Sequence, residues 1–310
     1  MSVTIILSVK NNVRTIRQCV QSLLRQSYKH YCILVVDSFS TDGTRQILQK
    51  FAAKKQIKLY QLDGWCPHAY NWALKRIKSK YIALIDGDCV AKPDWLKELV
   101  AGFTSDDILA VAGYCGTPSN ATRLQRLIGA ELEARFKTFP EFISRAPTMN
   151  LCIRTKVAQK LRFDEKLRVA YDTDFGWRLT KLGKMRYNKR AVILHHHRSS
   201  WRKFFKQQYT TAKYMPYLYL KHRGRAKGDE ISTGSMIIQP FLLYLLGFSI
   251  LLTFIWTYIF ADACFIFGLL FGIYIADITR IGNISLMYIP LFFVRTLAWS
   301  LGLLVGVVRR

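Results

Sequence analysis

From Val3 onward the chain alternates short apolar runs with segments of helical period, an order that few folds accept. Residues 3–9, 31–37, 57–62 and 81–85 have the length and β-branched composition of strands. Between them, Val13, Ile16, Val20, Leu23 and Leu24 share one face of a helix over 13–26. A loop of capping residues over 38–44 leads into a helix at 45–54, and 70–78 reads as a third helix. Strands and helices alternating over short connections predict an α/β fold with a mostly parallel sheet covered on both faces. Ligands in such sheets sit beyond the carboxyl ends of the strands. Two of those ends carry acids. The second run closes on Asp37 and the fourth on Asp86-Gly87-Asp88, where two carboxylates separated by one glycine suit a hard divalent ion such as Mg²⁺ or Mn²⁺. A solvated turn after a strand would carry the same residues, so the surrounding chain has to decide.

Length and charge narrow the class. A chain of 310 residues corresponds to roughly two domains of about 150 residues. Composition divides it into a mixed part, 1–235, and an almost continuously apolar part, 236–310. The formal charge of +26 asks for an anionic partner: nucleic acid, a phosphorylated substrate or an acidic membrane surface. The seven cysteines stand singly, without a CxxC pair or zinc spacing, as expected of reduced thiols in a cytosol-facing domain. The 3–9 run has no basic stretch before it and is too short for a signal peptide, so it reads as a first strand.

Several ordered motifs then agree. Ser2-Val3-Thr4-Ile5-Ile6 with Asn11 and Arg14-Thr15-Ile16, the stretch Val35-Val36-Asp37-Ser38-Phe39-Ser40-Thr41-Asp42-Gly43-Thr44, and Asp86-Gly87-Asp88 resemble an inverting family 2 glycosyltransferase with the GT-A fold, over about 3–214. The resemblance implies a Rossmann-like, mixed but mostly parallel sheet flanked by helices. It implies that Asp37 reads the nucleotide base, that Asn11 and Asp86 border the donor, and that Asp86 and Asp88 hold the metal on the sugar diphosphate. The chain departs from the family in places: Lys10-Asn11 stands for Tyr-Asn, Asp37-Ser38-Phe39 for Asp-Asp-Gly, and Ala69-Tyr70-Asn71 for Ala-Arg-Asn. The arginine often placed near the diphosphate is therefore missing, with Lys10 the candidate replacement. Read without the family, Asp37 caps the loop 38–44 and Asn11 is a turn residue.

The acceptor half begins with an amphipathic helix over 122–136 and a loop bracketed by Pro140 and Pro147. In Arg168-Val169-Ala170-Tyr171-Asp172-Thr173-Asp174, the resemblance makes Asp172 the catalytic base, with Tyr171 where the family carries Glu. Asp174 fits a partner for backbone amides or an arginine; both acids also suit a helix N-terminus. The 191–197 run ends in three histidines, and strand alternation puts His195 and His197 on one face. The likeness to the family's closing His segment selects His195 first and His197 second, to complete the metal shell or contact the pyrophosphate, while an ordinary polar strand end reads the same way.

From 178 to 227 the chain has no acidic residue and many Lys and Arg interleaved with aromatics. Such a stretch suits single-stranded nucleic acid or a lipid headgroup layer. The apolar C-terminal part selects the membrane: 236–260 carries no charge and is long enough to span a bilayer, 263–276 extends to about Arg280 if Asp277 is tolerated, and 286–308 is interrupted by Pro290 and Arg295. Two or three spans are expected, with Arg295 pairing with Asp277 or an acceptor phosphate. The expected protein is a cytosolic GT-A domain, 1–230, ending in a basic interfacial stretch from about 199, joined to an all-α transmembrane region, 236–310. It would sit in the cell membrane on anionic lipids and use Mn²⁺ or Mg²⁺. It would move a sugar from a nucleotide-diphosphate donor to a lipid-linked acceptor and bind no nucleic acid. A membrane-anchored nucleotide-sugar or polyanion binder that has lost chemistry is the other reading.

Overall fold

The computed structural model describes residues 2–282 and 285–308. Arg309 and Arg310, whose side of the membrane a third span would set, lie outside the described residues. The chain forms two compact units, Met1–Asn120 with Phe136–His196, and Ala121–Arg135 with His197–Arg310.

The first unit is built on a sheet. In order come β1 (Val3–Val9), α1 (Ile16–Leu24), β2 (Tyr31–Asp37), α2 (Thr44–Ala53), β3 (Lys58–Gln61), α3 (Cys66–Leu74), β4 (Tyr81–Leu84), β5 (Cys89–Ala91), α4 (Trp95–Ala101) and β6 (Ile108–Gly116). After α5 (Arg123–Lys137) come β7 (Leu151–Arg154), α6 (Thr155–Leu161), α7 (Tyr171–Leu179) and β8 (Lys184–His195). The eight strands run β3-β2-β1-β4-β7-β6-β8-β5 across the sheet. β3, β2, β1 and β4 are parallel. Helices cover both faces of that half, which is why every residue of β1 is buried and the strand reads as a continuous apolar run. β7 is antiparallel to both β4 and β6, whereas β8 is parallel to β6 and antiparallel to β5. The mixed, mostly parallel GT-A-type sheet expected from the sequence is therefore present.

Two boundaries differ from the sequence reading for physical reasons. Helix α3 starts at Cys66 rather than at residue 70, because Pro67 fits the first helical turn, where a missing N–H costs nothing. Strand β8 starts at Lys184 and ends at His195, so the alternation expected to pair His195 with His197 stops short. The His197 carbonyl instead accepts a hydrogen bond from Gln125 Nε2 at 2.7 Å. β6 and β8 also slip register after Gly113, where a Cβ would strike the Ala191 carbonyl.

The second unit holds α8 (Trp201–Lys221), α9 (Gly234–Thr253), α10 (Phe260–Ile281) and α11 (Tyr288–Val308) together with most of α5. Three segments, Gly234–Thr253, Thr257–Ile281 and Tyr288–Val308, are long and apolar enough to cross a membrane, judged by length and composition. Phe248, Phe254 and Phe265 face outward, as surfaces meant for lipid would. Pro290 does not interrupt α11, since it falls in that helix's first turn. Arg295 is buried and satisfied. It donates to Glu131 Oε1 at 2.8 Å and to Gln239 Oε1 at 3.2 Å, and lies 3.7 Å from Asp277 Oδ2. Burial works against the Glu131 carboxylate, but Arg135 and Arg295 together hold it below the ordinary range. Of the two partners considered for Arg295, Asp277 is thus in reach, and Glu131 is closer.

α11 packs on α8 through glycines. A Cβ on Gly302 would lie 2.5 Å from the Tyr209 carbonyl, and one on Gly306 would strike that of Lys213. Small residues four apart let two backbones approach this closely. Gly302→Ala is therefore expected to destabilise the protein by about 1–3 kcal/mol through overpacking. Thermal unfolding in detergent should show a lower Tm for Gly302→Ala and no decrease for Gly247→Ala, whose added Cβ meets nothing within 4 Å.

Candidate active site

The carboxyl edge of the parallel strands collects the acids. Asp37 ends β2 with its side chain wholly buried. Its Oδ1 accepts the Ser40 N–H at 3.3 Å, while Arg45 Nη1 and Gln61 Nε2 lie 3.6 and 3.5 Å from Oδ2. Asn11 follows β1 in the left-handed region, with φ of 57°, a conformation Asn tolerates better than most residues. Its N–H donates to Ser40 Oγ and its Oδ1 accepts from the Thr41 N–H, both at 2.9 Å. Both residues therefore shape the 38–44 loop. Lys10, beside them, is exposed.

The Asp86-Gly87-Asp88 turn is clamped from two sides. Thr15 Oγ1 donates to the Gly87 carbonyl at 2.8 Å, and the Cys89 N–H closes the turn on the Asp86 carbonyl at 3.0 Å. Gly87 keeps the turn close, since a Cβ there would sit 3.1 Å from both Val9 and Asn12, a tight contact that those side chains would have to yield to. On the far side, β5 pairs with the end of β8, setting Cys89 opposite His195, and the His196 N–H donates to the Asp88 carbonyl at 3.0 Å. That pairing brings His195 Nε2 to 3.5 Å from Asp88 Oδ1.

The ligand atoms of Asp88, Cys89 and His195 all lie within 4.8 Å of one another, the spacing of a metal site. Burial, reinforced by Asp88 and Asp86, holds the Cys89 thiol well above its ordinary pKa, so it stays protonated and is a poor ligand for a hard ion. Burial opposes the charged imidazole of His195, but the neighbouring Asp88 carboxylate outweighs it and pushes the pKa up to about 10. Without an ion the imidazole is thus held protonated against Asp88; an ion that displaced that proton would find the Asp88 carboxylate and the His195 imidazole side by side, with the Asp86 carboxylate close enough to act on the same thiol, a set that fits Mn²⁺ or Mg²⁺.

Asp172 lies in the first turn of α7, after Ala170 in the left-handed region. The Thr173 N–H donates to Asp172 Oδ1 at 2.8 Å, and Arg145 Nη1 donates to the Thr173 hydroxyl at 2.9 Å. Burial pushes the Asp172 carboxyl above the usual range, against the pull of Arg145. Asp174 is fully buried and pairs with Arg178 at 2.8 Å, which occupies it structurally. Burial, followed by Cys66 and Tyr70, raises the Tyr171 hydroxyl well above its normal pKa, and Asp86 and Asp172 both add to the shift. The structure thus sets Asp88 and His195 side by side with Asp86 on the same turn, puts Asp172 within electrostatic reach of the same Tyr171 that feels Asp86, and places Asp37 at the end of β2 and Asn11 after β1, both holding the 38–44 loop.

Other participants were not singled out from sequence. Cys115 reaches His195 across the β6–β8 pairing, and Arg145 comes from the irregular segment before β7. The Arg168 guanidinium stacks 3.6 Å from the ring centre of Trp65 at the start of α3, an exposed cation in the region where the family arginine is absent. Only the arginine's proximity to Asp172 in sequence could have hinted at it.

Residues 4–168 match the family described as Glycosyl transferase family 2. An uncharacterized glycosyltransferase of Rickettsia prowazekii is 27% identical over 199 residues, covering 62% of each chain. TuaG of Bacillus subtilis, assigned as a teichuronic acid biosynthesis glycosyltransferase, is 34% identical over 119 residues, 37% of this chain and 47% of its own. The alignments thus span less than two thirds of these relatives' length. The fold is similar to that of the mannosyltransferase PcManGT from Pyrobaculum calidifontis, solved with GDP-Man and Mn²⁺, at a TM-score of 0.61 and 14% identity over 99% of this chain and 86% of that one.

If Asp88 and His195 hold the ion, Mn²⁺ at ~100 times its Kd stabilises the folded protein by about 2.7 kcal/mol. A Tm rise with Mn²⁺ in the unaltered protein, lost in Asp88→Ala and in His195→Ala, is the expected outcome; equal rises in all three would place the ion elsewhere.

Proposed function

The chain belongs to glycosyl transferase family 2, and from that premise we propose that it moves one sugar, with inversion, from a nucleotide-diphosphate donor to a lipid-linked acceptor. Polyprenyl phosphate, a lipid-linked oligosaccharide and a glycolipid are the acceptor classes that fit. The observation that carries the reading is the gathering of Asp86, Asp88, His195 and Asp172 at the carboxyl edge of the sheet. Asp37 and Asn11, which order the 38–44 loop, would place the nucleotide base there. Asp88 and His195, with Asp86, would hold Mn²⁺ or Mg²⁺, whose charge when bound offsets that of the departing diphosphate.

Asp172 is suited to take the acceptor proton. Burial makes its carboxylate a stronger base than a solvated one. The Thr173 N–H fixes Oδ1, which leaves Oδ2 for the proton. The acceptor oxygen then bonds to the anomeric carbon from the face opposite the diphosphate, whose bond to that carbon breaks. A phosphate acceptor is already ionised and asks less of the base.

The three apolar helices support membrane attachment. The acid-free stretch 178–227, which includes the amphipathic α8, supports a cytoplasmic catalytic domain with basic residues on anionic headgroups.

Asp172→Asn is expected to lower transfer by at least ~10²-fold, in the range of general-base loss. It should not lower Tm: the folded state raises this carboxyl's pKa, so ionising it costs stability as pH rises above the unfolded value, and Asn removes that cost. Because the base must be ionised, kcat/KM should fall as pH decreases, with a midpoint above the ordinary aspartate value of about 3.9. Donor binding with no turnover by the unaltered protein at any pH would point instead to a nucleotide-sugar binder without chemistry.

A further inference from the structure

Helices α8 and α11 run side by side in the same direction. Phe204 of α8 shares a buried cluster with Leu291 and Phe292 of α11. Further along, Trp299 Nε1 donates to Gln208 Oε1 at 3.0 Å. A Cβ on Gly302 would touch Tyr209 and Ala212, and one on Gly306 would touch Lys213 and Pro216. Higher numbers on one helix meet higher numbers on the other at every contact, so the pair is parallel and the two share their orientation in a bilayer.

That orientation is constrained by charge. α8 carries Arg202, Lys203, Lys206, Lys213 and Lys221, spread from its first turn to its last, and each opposes entry into hydrocarbon. Because α11 is packed on α8 along its length, an α11 that crossed the membrane would draw those cations through the bilayer core. Arg295 adds a constraint from another helix. Its 2.8 Å bond to Glu131 ties the interior of α11 to α5, which holds six charged residues in fifteen.

Polarity also changes across the pair rather than along it. On α8, the exposed Arg202, Lys206 and Lys221 lie away from the row of Phe204, Gln208 and Ala212 that faces α11. On α11, Phe293, Leu301, Leu304 and Val308 are exposed, on the side opposite Trp299, Gly302 and Gly306. A pair that crossed a bilayer would be apolar in its middle and polar at its ends. A pair lying flat has cations on one face and an apolar stripe on the other, which is what these two helices present. α11 is also the most covered of the three apolar helices, with 44% of its most apolar stretch buried against 17% and 22%.

We propose that α11 does not cross the membrane but lies with α8 in a single anionic leaflet, α8 at the headgroups and the apolar stripe of α11 on the acyl chains, while α9 and α10 enter the bilayer as a hairpin. Both ends of α11 then stay on the face that carries α8. The proposal rests on the membrane attachment inferred above and assigns the helices their parts in it.

Spin labels on the full chain test it, in vesicles of phosphatidylcholine and phosphatidylglycerol. Cys32→Ser, Cys66→Ser and Cys264→Ser remove the exposed and half-buried native thiols. Leu286→Cys, Phe293→Cys, Leu301→Cys and Val308→Cys then place one label at a time along the exposed side of α11, with Phe248→Cys on α9 as the reference for lipid contact. Power saturation with oxygen and a water-soluble nickel chelate reads the depth of each. All four α11 labels are expected in lipid at one depth, within ~5 Å of one another, as in a helix lying in the interface plane. A crossing helix rises about 1.5 Å per residue, which would put Phe293 and Leu301 about 10 Å deeper than both ends, and that profile would overturn the proposal. Water exposure of the Phe248 label would overturn membrane attachment itself, and this orientation with it.

Discussion

Three pairs of residues, Cys89 with His195, Val90 with Leu194 and Ala91 with Ile193, decide whether this sheet carries a site. β4 delivers Asp86 and Asp88 to an open edge, but two carboxylates on a free turn would only be solvated. The short antiparallel ladder fixes Asp88 beside His195, and Thr15 and the 9–12 loop hold the same turn from the other side. Gly87 keeps the turn from crowding the Val9 and Asn12 side chains. A ligand set has to be held within about half an ångström to be useful, and here backbone pairing does the holding rather than the flexible side chains.

The site works against stability. Asp172 is a carboxylate kept where burial disfavours its charge, whereas Cys19, Cys89 and Tyr171, whose pKa values burial also raises, only stay in the neutral form they already hold at neutral pH. Folded chains carry such groups where chemistry needs them and recover the cost elsewhere. Here the recovery is visible in β1 and β2, whose buried Ile5, Ile6, Leu7, Val35 and Val36 form the centre of the sheet. The second unit shows the same balance in an apolar setting. Arg295 is buried there only because Glu131, Asp277 and Gln239 all reach it, and losing one partner would leave a charge stranded.

Much of this was legible in the chain before folding. Strand runs that end in acids declare both the parallel sheet and its functional edge, because a buried strand tolerates carboxylates only where it emerges. Asp37, Asp86 and Asp88 follow from that rule as residues of the carboxyl edge, and Asp172 is marked only by the likeness of its segment to a family motif. Other features were not legible, because they depend on distant pairing. Cys115 reaches His195 through its place beside β8, and Arg145 reaches Thr173 from a loop without periodicity. Arg295 looked like an interruption of a span because its first partner, Glu131, sits on a helix far away in sequence. His197 was misplaced because strand alternation was carried past the true end of β8.

The central claim is that Asp88 and His195 hold one metal ion beside a base at Asp172. Anomalous diffraction at the manganese edge, from crystals of the full chain grown with Mn²⁺ and a nucleoside diphosphate, measures it most directly. One manganese peak is expected, bonded to the Asp88 carboxylate and to His195, with diphosphate oxygens on its open side and Asp172 facing the same cleft. A peak bonded to neither residue, or a diphosphate bound at a different edge of the sheet from Asp172, would contradict it.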